Sequence, residues 1–223
     1  MTEKAPRIAL IHATPLAIEP VNEAFRRLWP AAEARNLLDD SLAPDLARTG
    51  QLDEAMVERF RRLAAYTVDC GADAILFTCS AFGPAIDRAA RDQAPRPVLK
   101  PNEAMFAEAM GLGTRIGMVA TFAPSLPPMQ AEFAAMAKAA GSPARLETAC
   151  TPDAMPALAA GDAATHDRLV AEAAAGLAHC DALLLAQFSM ARARDAVTER
   201  VGVPVLTSPD SAVVMLQRRL VAG

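Results

Sequence analysis

The chain has 223 residues, of which 52% are hydrophobic and 22% are charged, a composition typical of a folded globular protein. Its net charge of -4 and its aromatic content of 4% give little surface for binding phosphate backbones or stacking bases. Nucleic acid is therefore not an expected partner. No stretch approaches the roughly 20 apolar residues that span a bilayer, so no membrane partner is expected either.

The start of the chain and its cysteines indicate a reducing compartment. Residues 1–4 lead directly into an apolar run without the features of a signal peptide, so we expect a cytoplasmic protein. The four cysteines, Cys70, Cys79, Cys150 and Cys180, form no C-x-x-C pair, which argues against a zinc site and against disulfides. The glycines match neither a Rossmann nor a P-loop fingerprint, and we predict no cofactor.

Six short apolar runs, each followed by turn residues and a helix-like segment, predict parallel strands joined by crossover helices. The runs cover residues 7–11, 74–77, 97–99, 115–119, 182–185 and 204–206. Apolar residues spaced by three and four predict helices over 53–69 and 165–178. Three prolines predict a loop over 121–129, which would form a lid or a binding edge.

The second half of the chain repeats the first. The matched segments begin at Arg7 and Arg115, at Asp73 and Asp181, and at Pro97 and Pro204, with offsets of 108, 108 and 107 residues. We therefore predict an α/β fold of two pseudo-symmetric halves, each an open parallel sheet flanked by helices, with the active site in the cleft between them. The predicted halves are 1–113 and 114–207, and a C-terminal helix over 208–223 packs back on the first half.

Polar residues follow the strands at the edge where parallel sheets bind ligands. They are Thr14, Thr78, Cys79 and Ser80 in the first half, and Thr121, Gln187 and Ser189 in the second half. We predict that these residues form the substrate site.

Cys79 is the predicted reactive group. It stands between Thr78 and Ser80 and shortly before Pro84, a residue suited to the first turn of a helix. A helix N-terminus would lower the thiol pKa and increase its reactivity. The alternative is a buried apolar cysteine, which is the interpretation we favour for Cys70 and Cys180; Cys150 is undecided.

The histidines show no metal-ligand spacing. His12 directly follows the first predicted strand, where it would orient a loop or act on a substrate as a second base. His166 and His179 fall on or beside a predicted helix, as surface or packing residues.

The whole pattern resembles the aspartate/glutamate/hydantoin racemase superfamily, which also contains arylmalonate decarboxylase and maleate isomerase. The resemblance rests on the duplicated halves, Thr78-Cys79-Ser80, the loop at Thr121 and the segment 204–208. It implies a cofactor-free enzyme, often a homodimer, that acts at the carbon next to a carboxylate. Two cysteines, one per half, would serve opposite faces of that carbon. Cys79 matches the first cysteine, while Ser80 and Thr121 match carboxylate-binding positions.

Gln187 stands where the resemblance places the second cysteine. An amide exchanges no proton at ordinary pH but does form hydrogen bonds. Three interpretations remain open. The first is a racemase-like isomerase that takes a small carboxylic or amino acid, with Cys79 as acid/base or nucleophile. The second is a decarboxylase of a malonate-like acid, which needs one thiol, and the third is a carboxylate-binding protein without catalysis.

Overall fold

The structure is a computed structural model that describes residues 5–221. The described residues form two compact units, 5–101 together with 212–221, and 102–211. Residues 1–4, where no signal peptide was expected, lie outside the described residues. So do residues 222–223, the last two of the predicted C-terminal helix.

The first unit contains a four-stranded parallel sheet in the order β2-β1-β3-β4. Its strands are β1 (Arg7–His12), β2 (Glu33–Leu38), β3 (Ala74–Phe77) and β4 (Val98–Leu99). The accompanying helices are α1 (Ile18–Leu28), α2 (Leu42–Thr49), α3 (Glu54–Asp69) and α4 (Gly83–Asp92).

The second unit contains another four-stranded parallel sheet, in the order β6-β5-β7-β8. Its strands are β5 (Arg115–Ala120), β6 (Arg145–Cys150), β7 (Ala182–Leu185) and β8 (Val205–Thr207). Its helices are α5 (Glu103–Met110), α6 (Leu126–Ala139), α7 (Ala154–Ala159), α8 (Ala163–Ala175) and α9 (Arg194–Thr198). The last helix, α10 (Ser208–Val221), contributes residues to both units.

The two sheets repeat each other in detail. Ile8 pairs with Ala74 in the first sheet, and Ile116, 108 residues later, pairs with Ala182 in the second. The Asp73 carboxylate accepts a hydrogen bond from the backbone N–H of Arg7 at 2.7 Å. Asp181 does the same for Arg115 at 2.8 Å. The predicted α/β fold with two parallel sheets is confirmed.

The apolar core of the first unit lies behind β3, whose four residues are all buried. Phe60 of α3 contacts Phe77 and Phe82 with ring centroids 5.3 and 4.8 Å apart. Phe77 and Phe82 flank the turn between β3 and α4, so their contacts with Phe60 anchor both sides of that turn. Burying each ring contributes roughly 1.5–3 kcal/mol to stability.

Two strands, β2 and β6, were not predicted. Each is an edge strand that pairs with its neighbour over six residues. Their sequences alternate charged and apolar residues, and neither contains a fully buried position. The prediction relied on continuous apolar runs, a pattern that marks only strands covered on both faces.

The predicted helix over 53–69 is confirmed as α3, with the Asp53 side chain accepting the Met56 N–H at 2.9 Å as an N-cap. The helix predicted over 165–178 is α8, which begins two residues earlier and ends at Ala175. Its N-cap is Asp162, which accepts the Thr165 N–H at 3.0 Å.

The loop predicted over 121–129 is wrong for most of its length. Ala123–Ser125 form a 3-10 helix, and α6 begins at Leu126. Prolines at 124, 127 and 128 fit there because the first residues of a helix need no N–H donor within the helix. Within residues 5–221, no helix has both the length and the apolar character required to cross a membrane.

Candidate active site

The carboxyl ends of β1 and β3 lie side by side in the first unit, because Ile11 pairs with Phe77. Thr14 follows β1, and Thr78, Cys79 and Ser80 follow β3. The structure therefore brings the four polar residues predicted in the first half to one edge of the sheet. Thr14 caps a short 3-10 helix by accepting the Leu16 N–H at 3.4 Å, and both Thr14 and Ser80 are partly exposed.

Cys79 lies in the turn between β3 and the helical segment that follows. It is the N-cap of the 3-10 helix Ser80–Phe82, which leads into α4 with Pro84 in its first turn, as predicted. The side chain is partly buried against the apolar core. Leu42, Phe60 and Phe77 line a narrow gap beside it, together with Ile11 and His12.

The pKa of Cys79 differs from the sequence expectation. Burial raises the pKa of the thiol, and the influence of the Ala81 backbone N–H opposes that shift without overcoming it. The helix N-terminus was expected to lower the pKa, so the expected direction is wrong. The apolar wall of Leu42, Phe60 and Phe77 removes the water that a thiolate needs.

His12 is the last residue of β1 and is fully buried. Its Nδ1 lies 2.9 Å from Thr78 Oγ1, and its Nε2 lies 2.9 Å from Asn36 Oδ1. Burial lowers the pKa of His12, although the contact with Asn36 acts in the opposite direction, so the ring is neutral near neutral pH. Since an amide oxygen only accepts, Nε2 carries the proton, and the Thr78 hydroxyl donates to Nδ1.

Asn36 is a site residue that the sequence analysis missed as a partner of His12. It lies on β2, one of the two unpredicted strands, and its Nδ2 donates to Asn22 Oδ1 at 3.2 Å. The signal available in the sequence was a polar residue near the end of an apolar stretch. That signal does not reveal a contact across two strands.

Thr121 and Gln187, which follow the neighbouring strands β5 and β7 of the second unit, bond directly to each other. The Gln187 Oε1 accepts the Thr121 backbone N–H at 3.0 Å and the Thr121 hydroxyl at 3.3 Å. The Gln187 Nε2 donates to Ser125 Oγ at 3.0 Å, and the Ser125 hydroxyl donates to the Phe122 carbonyl at 2.7 Å. Ser125 was not predicted. Ser189 lies buried in the 3-10 helix after Gln187.

A buried polar group stands at the end of β8 in the second unit. The Ser208 hydroxyl donates to Asn102 Oδ1 at 3.4 Å, and the Asn102 amide donates to Glu132 at 3.4 Å. Both Ser208 and Asn102 are buried. Polar groups removed from water in this way usually bond to one another, and these connect β8 to α5 and α6.

The remaining cysteines and histidines differ in burial. Cys180 is buried, as expected, whereas Cys70 is exposed at the end of α3, so its predicted place in the core is wrong. Cys150 is partly buried at the end of β6. His166 is buried within α8, and His179 is exposed.

Comparison with known proteins identifies the class. The Asp/Glu/Hydantoin racemase family model matches residues 11–216, and the chain belongs to this family. No curated protein matches the sequence.

Three solved structures illustrate the likeness of fold. Allantoin racemase from Klebsiella pneumoniae is 22% identical with a TM-score of 0.73, covering 98% of this chain and 89% of its own. Glutamate racemase from Francisella tularensis, solved with D-glutamate, is 15% identical with a TM-score of 0.68, covering 98% and 81%. Unliganded arylmalonate decarboxylase is 18% identical with a TM-score of 0.68, covering 98% and 94%.

Proposed function

We propose that this chain is a cofactor-independent enzyme that transfers a proton at the carbon next to the carboxylate of a small acid, with Cys79 as the group that moves the proton. The observation that carries the proposal is the environment of Cys79. Its thiol stands just after the end of β3, partly buried against apolar rings, and the Ala81 backbone N–H favours the charged form of the sulfur.

Burial makes Cys79 a proton donor near neutral pH. Because its pKa is raised, the resting group is the thiol rather than the thiolate. When the S–H proton passes to a substrate carbanion, the Ala81 N–H stabilises the thiolate that is left. The thiolate then recovers a proton from solvent or from the next substrate.

Hydroxyl groups around Cys79 have separate roles. Thr14 and Ser80 are partly exposed at the same sheet edge, and we assign them to the substrate carboxylate. The Thr78 hydroxyl lies within hydrogen-bond distance of His12 Nδ1 and of the Ile11 carbonyl. His12 uses both ring nitrogens in hydrogen bonds, so we assign it to positioning Thr78 rather than to the role of second base.

Thr121, Gln187 and Ser189 are proposed substrate contacts of the second unit. The Gln187 amide has two N–H donors, of which one donates to Ser125. The second N–H lies in the same rigid amide plane, and we assign it to a substrate oxygen. The Oε1 is held by Thr121, which fixes the orientation of that plane.

The leading reaction is isomerisation of the racemase type. In this reaction a base other than the Cys79 thiol takes the proton from the carbon next to the carboxylate, the electron pair of the broken C–H bond is held as an enolate, and the Cys79 thiol returns a proton to the carbon. Family membership supports this reading, as do structural neighbours that include racemases of glutamate and allantoin. A full inversion needs a second proton-transferring group, such as an ordered water.

The second candidate is decarboxylation of a substituted malonate, and the bonded Gln187 favours it. In decarboxylation the carbon–carbon bond to one carboxylate breaks and carbon dioxide leaves. The electron pair of that bond stays on the remaining carbon, and this carbanion takes one proton from Cys79. One thiol is sufficient, so an amide at position 187 is no obstacle. Arylmalonate decarboxylase is among the structural neighbours.

Incubation in deuterated water separates the two reactions. The panel consists of α-amino acids, hydantoins and aryl-substituted malonates, followed by proton NMR and chiral chromatography. Exchange with inversion supports a racemase, exchange with retention supports a single base, and carbon dioxide release from a malonate supports a decarboxylase. Absence of all three across the panel would overturn the proposal. Cytoplasmic location and homodimer formation stay predictions from the sequence.

A further inference from the structure

Three side chains of types that can bind metal ions lie close together in the second unit, away from Thr121 and Gln187. The ligand atoms of Glu147, His179 and Cys180 all lie within 4.8 Å of one another. His179 Nε2 and Glu147 Oε2 are 2.9 Å apart. The sequence showed no metal-ligand spacing because Glu147 is 32 residues away from His179.

The fold brings these residues together through the register of β5 and β6. Glu147 on β6 is the partner of Gly117 on β5. A Cβ atom on Gly117 would lie 3.2 Å from the Cys180 sulfur, so the thiol sits on the face that Gly117 leaves open. Partners on adjacent strands point to the same face of a sheet, which directs Glu147 toward that thiol.

The group lies at the other end of the sheet from the proposed substrate contacts. His179 and Cys180 come just before β7 begins at Ala182, whereas Gln187 lies two residues beyond the last residue of β7. A hydrogen bond of 3.0 Å from the Cys180 N–H to the Leu177 carbonyl holds this turn. The group is therefore separate from the chemistry proposed for Cys79.

Imidazole, carboxylate and thiolate are the donors that zinc prefers. In a tetrahedral site, nitrogen and oxygen ligands about 2.0–2.1 Å from the metal are separated by roughly 3.3 Å. The observed 2.9 Å between His179 and Glu147 is close to that separation. The Cys180 sulfur lies within 4.8 Å of both ligand atoms, compared with roughly 3.6 Å between sulfur and nitrogen or oxygen ligands of a tetrahedral zinc site.

One side of this group is buried and the other is exposed, which gives a metal ion a route from solvent. The Cys180 residue is 2% exposed. The side chains of His179 and Glu147 are 50% and 45% exposed. A cation can arrive through the exposed side, and a water molecule can complete the coordination there.

We propose that Glu147, His179 and Cys180 form a binding site for Zn²⁺, with water as the fourth ligand. On binding, the Cys180 S–H bond breaks, the proton goes to solvent, and the thiolate forms the bond to zinc. The bound ion connects β6 to the turn before β7, so it stabilises the second unit.

The experiment uses the full chain without a histidine tag, stripped with a chelator. Zinc is titrated against a chromophoric competitor, and Co²⁺ is added separately to detect thiolate-to-cobalt absorption in the near ultraviolet. The variants are His179→Gln, on an exposed residue, and Cys180→Ala. Cys70→Ser is the matched control because it removes an exposed thiol outside the group. Circular dichroism verifies that each variant is folded.

We expect one zinc per chain and a thermal unfolding midpoint that rises with zinc concentration. His179→Gln should weaken zinc binding at least about tenfold, and Cys180→Ala should abolish the cobalt band, while Cys70→Ser retains both properties. The proposal is overturned if the wild type binds no zinc, if His179→Gln leaves the affinity unchanged, or if the cobalt band survives in Cys180→Ala.

Discussion

The amide oxygen of Gln187 accepts both the backbone N–H and the hydroxyl of Thr121, at 3.0 and 3.3 Å. These contacts join the ends of β5 and β7, and the Gln187 amide group extends them to Ser125 at the start of α6. The Gln187 amide thus links the ends of two strands to the start of a helix.

Replacing Gln187 with alanine should reduce the stability of the folded chain. The substitution leaves the partly buried Thr121 N–H without its acceptor, at a cost of about 1–3 kcal/mol. Urea denaturation measures this loss. Gln130→Ala is the matched control, because the Gln130 side chain makes an exposed contact with Thr148, and its effect should stay within about 0.5 kcal/mol. Equal effects of the two substitutions would contradict the structural role of Gln187.

Cys79 should react slowly with iodoacetamide at neutral pH. Only the thiolate reacts, and burial raises the pKa of this thiol above its ordinary value of 9.0. Mass spectrometry of alkylated peptides over a series of pH values gives the midpoint for Cys79. We expect a midpoint higher than that of a cysteine in an unstructured peptide under the same conditions. A lower midpoint would mean that the helix N-terminus dominates over burial.

His12 should make the protein less stable in acid. Its pKa is lowered by burial in the folded state, so below about pH 6.5 the unfolded chain binds a proton that the folded chain does not. This contribution to stability is fully present above pH 6.5 and is lost as the pH falls through the folded pKa. Urea denaturation at pH 7.5 and pH 5.5 measures the loss.

The matched variants are His12→Gln, at a fully buried histidine, and Gln130→Ala, at an exposed residue that carries no titratable group. The first should lose less stability than the wild type between the two pH values, whatever its stability at pH 7.5. The second should behave like the wild type at both pH values. An unchanged pH dependence in His12→Gln would refute the neutral assignment.

The sequence predicted the parts of the fold that depend on local pattern. Buried runs such as 74–77 and 182–185 predicted strands, and apolar residues spaced by three and four over 53–69 predicted a helix. The edge strands β2 and β6 were not predicted because charged residues such as Glu33 and Arg145 interrupt their apolar pattern.

Properties of the site that depend on distant residues were harder to predict. The position of Cys79 after a strand was visible in the sequence, but its pKa depends on how Leu42 and Phe60 pack beside it. The partner of His12 comes from β2, and the partner of Gln187 comes from the helical turn at Ser125. Such contacts follow from tertiary structure, which residue spacing alone does not specify.

The central claim is that Cys79 moves the proton at the carbon next to a carboxylate, and deuterium exchange in matched cysteine variants tests it most directly. The wild type, Cys79→Ala and Cys150→Ala are compared by NMR in deuterated water, on the panel of amino acids, hydantoins and substituted malonates. We predict deuterium incorporation at that carbon for at least one compound, lost by a factor of about 10²–10⁴ in Cys79→Ala and retained in Cys150→Ala. Incorporation that persists in Cys79→Ala, or none in the wild type, would contradict the claim.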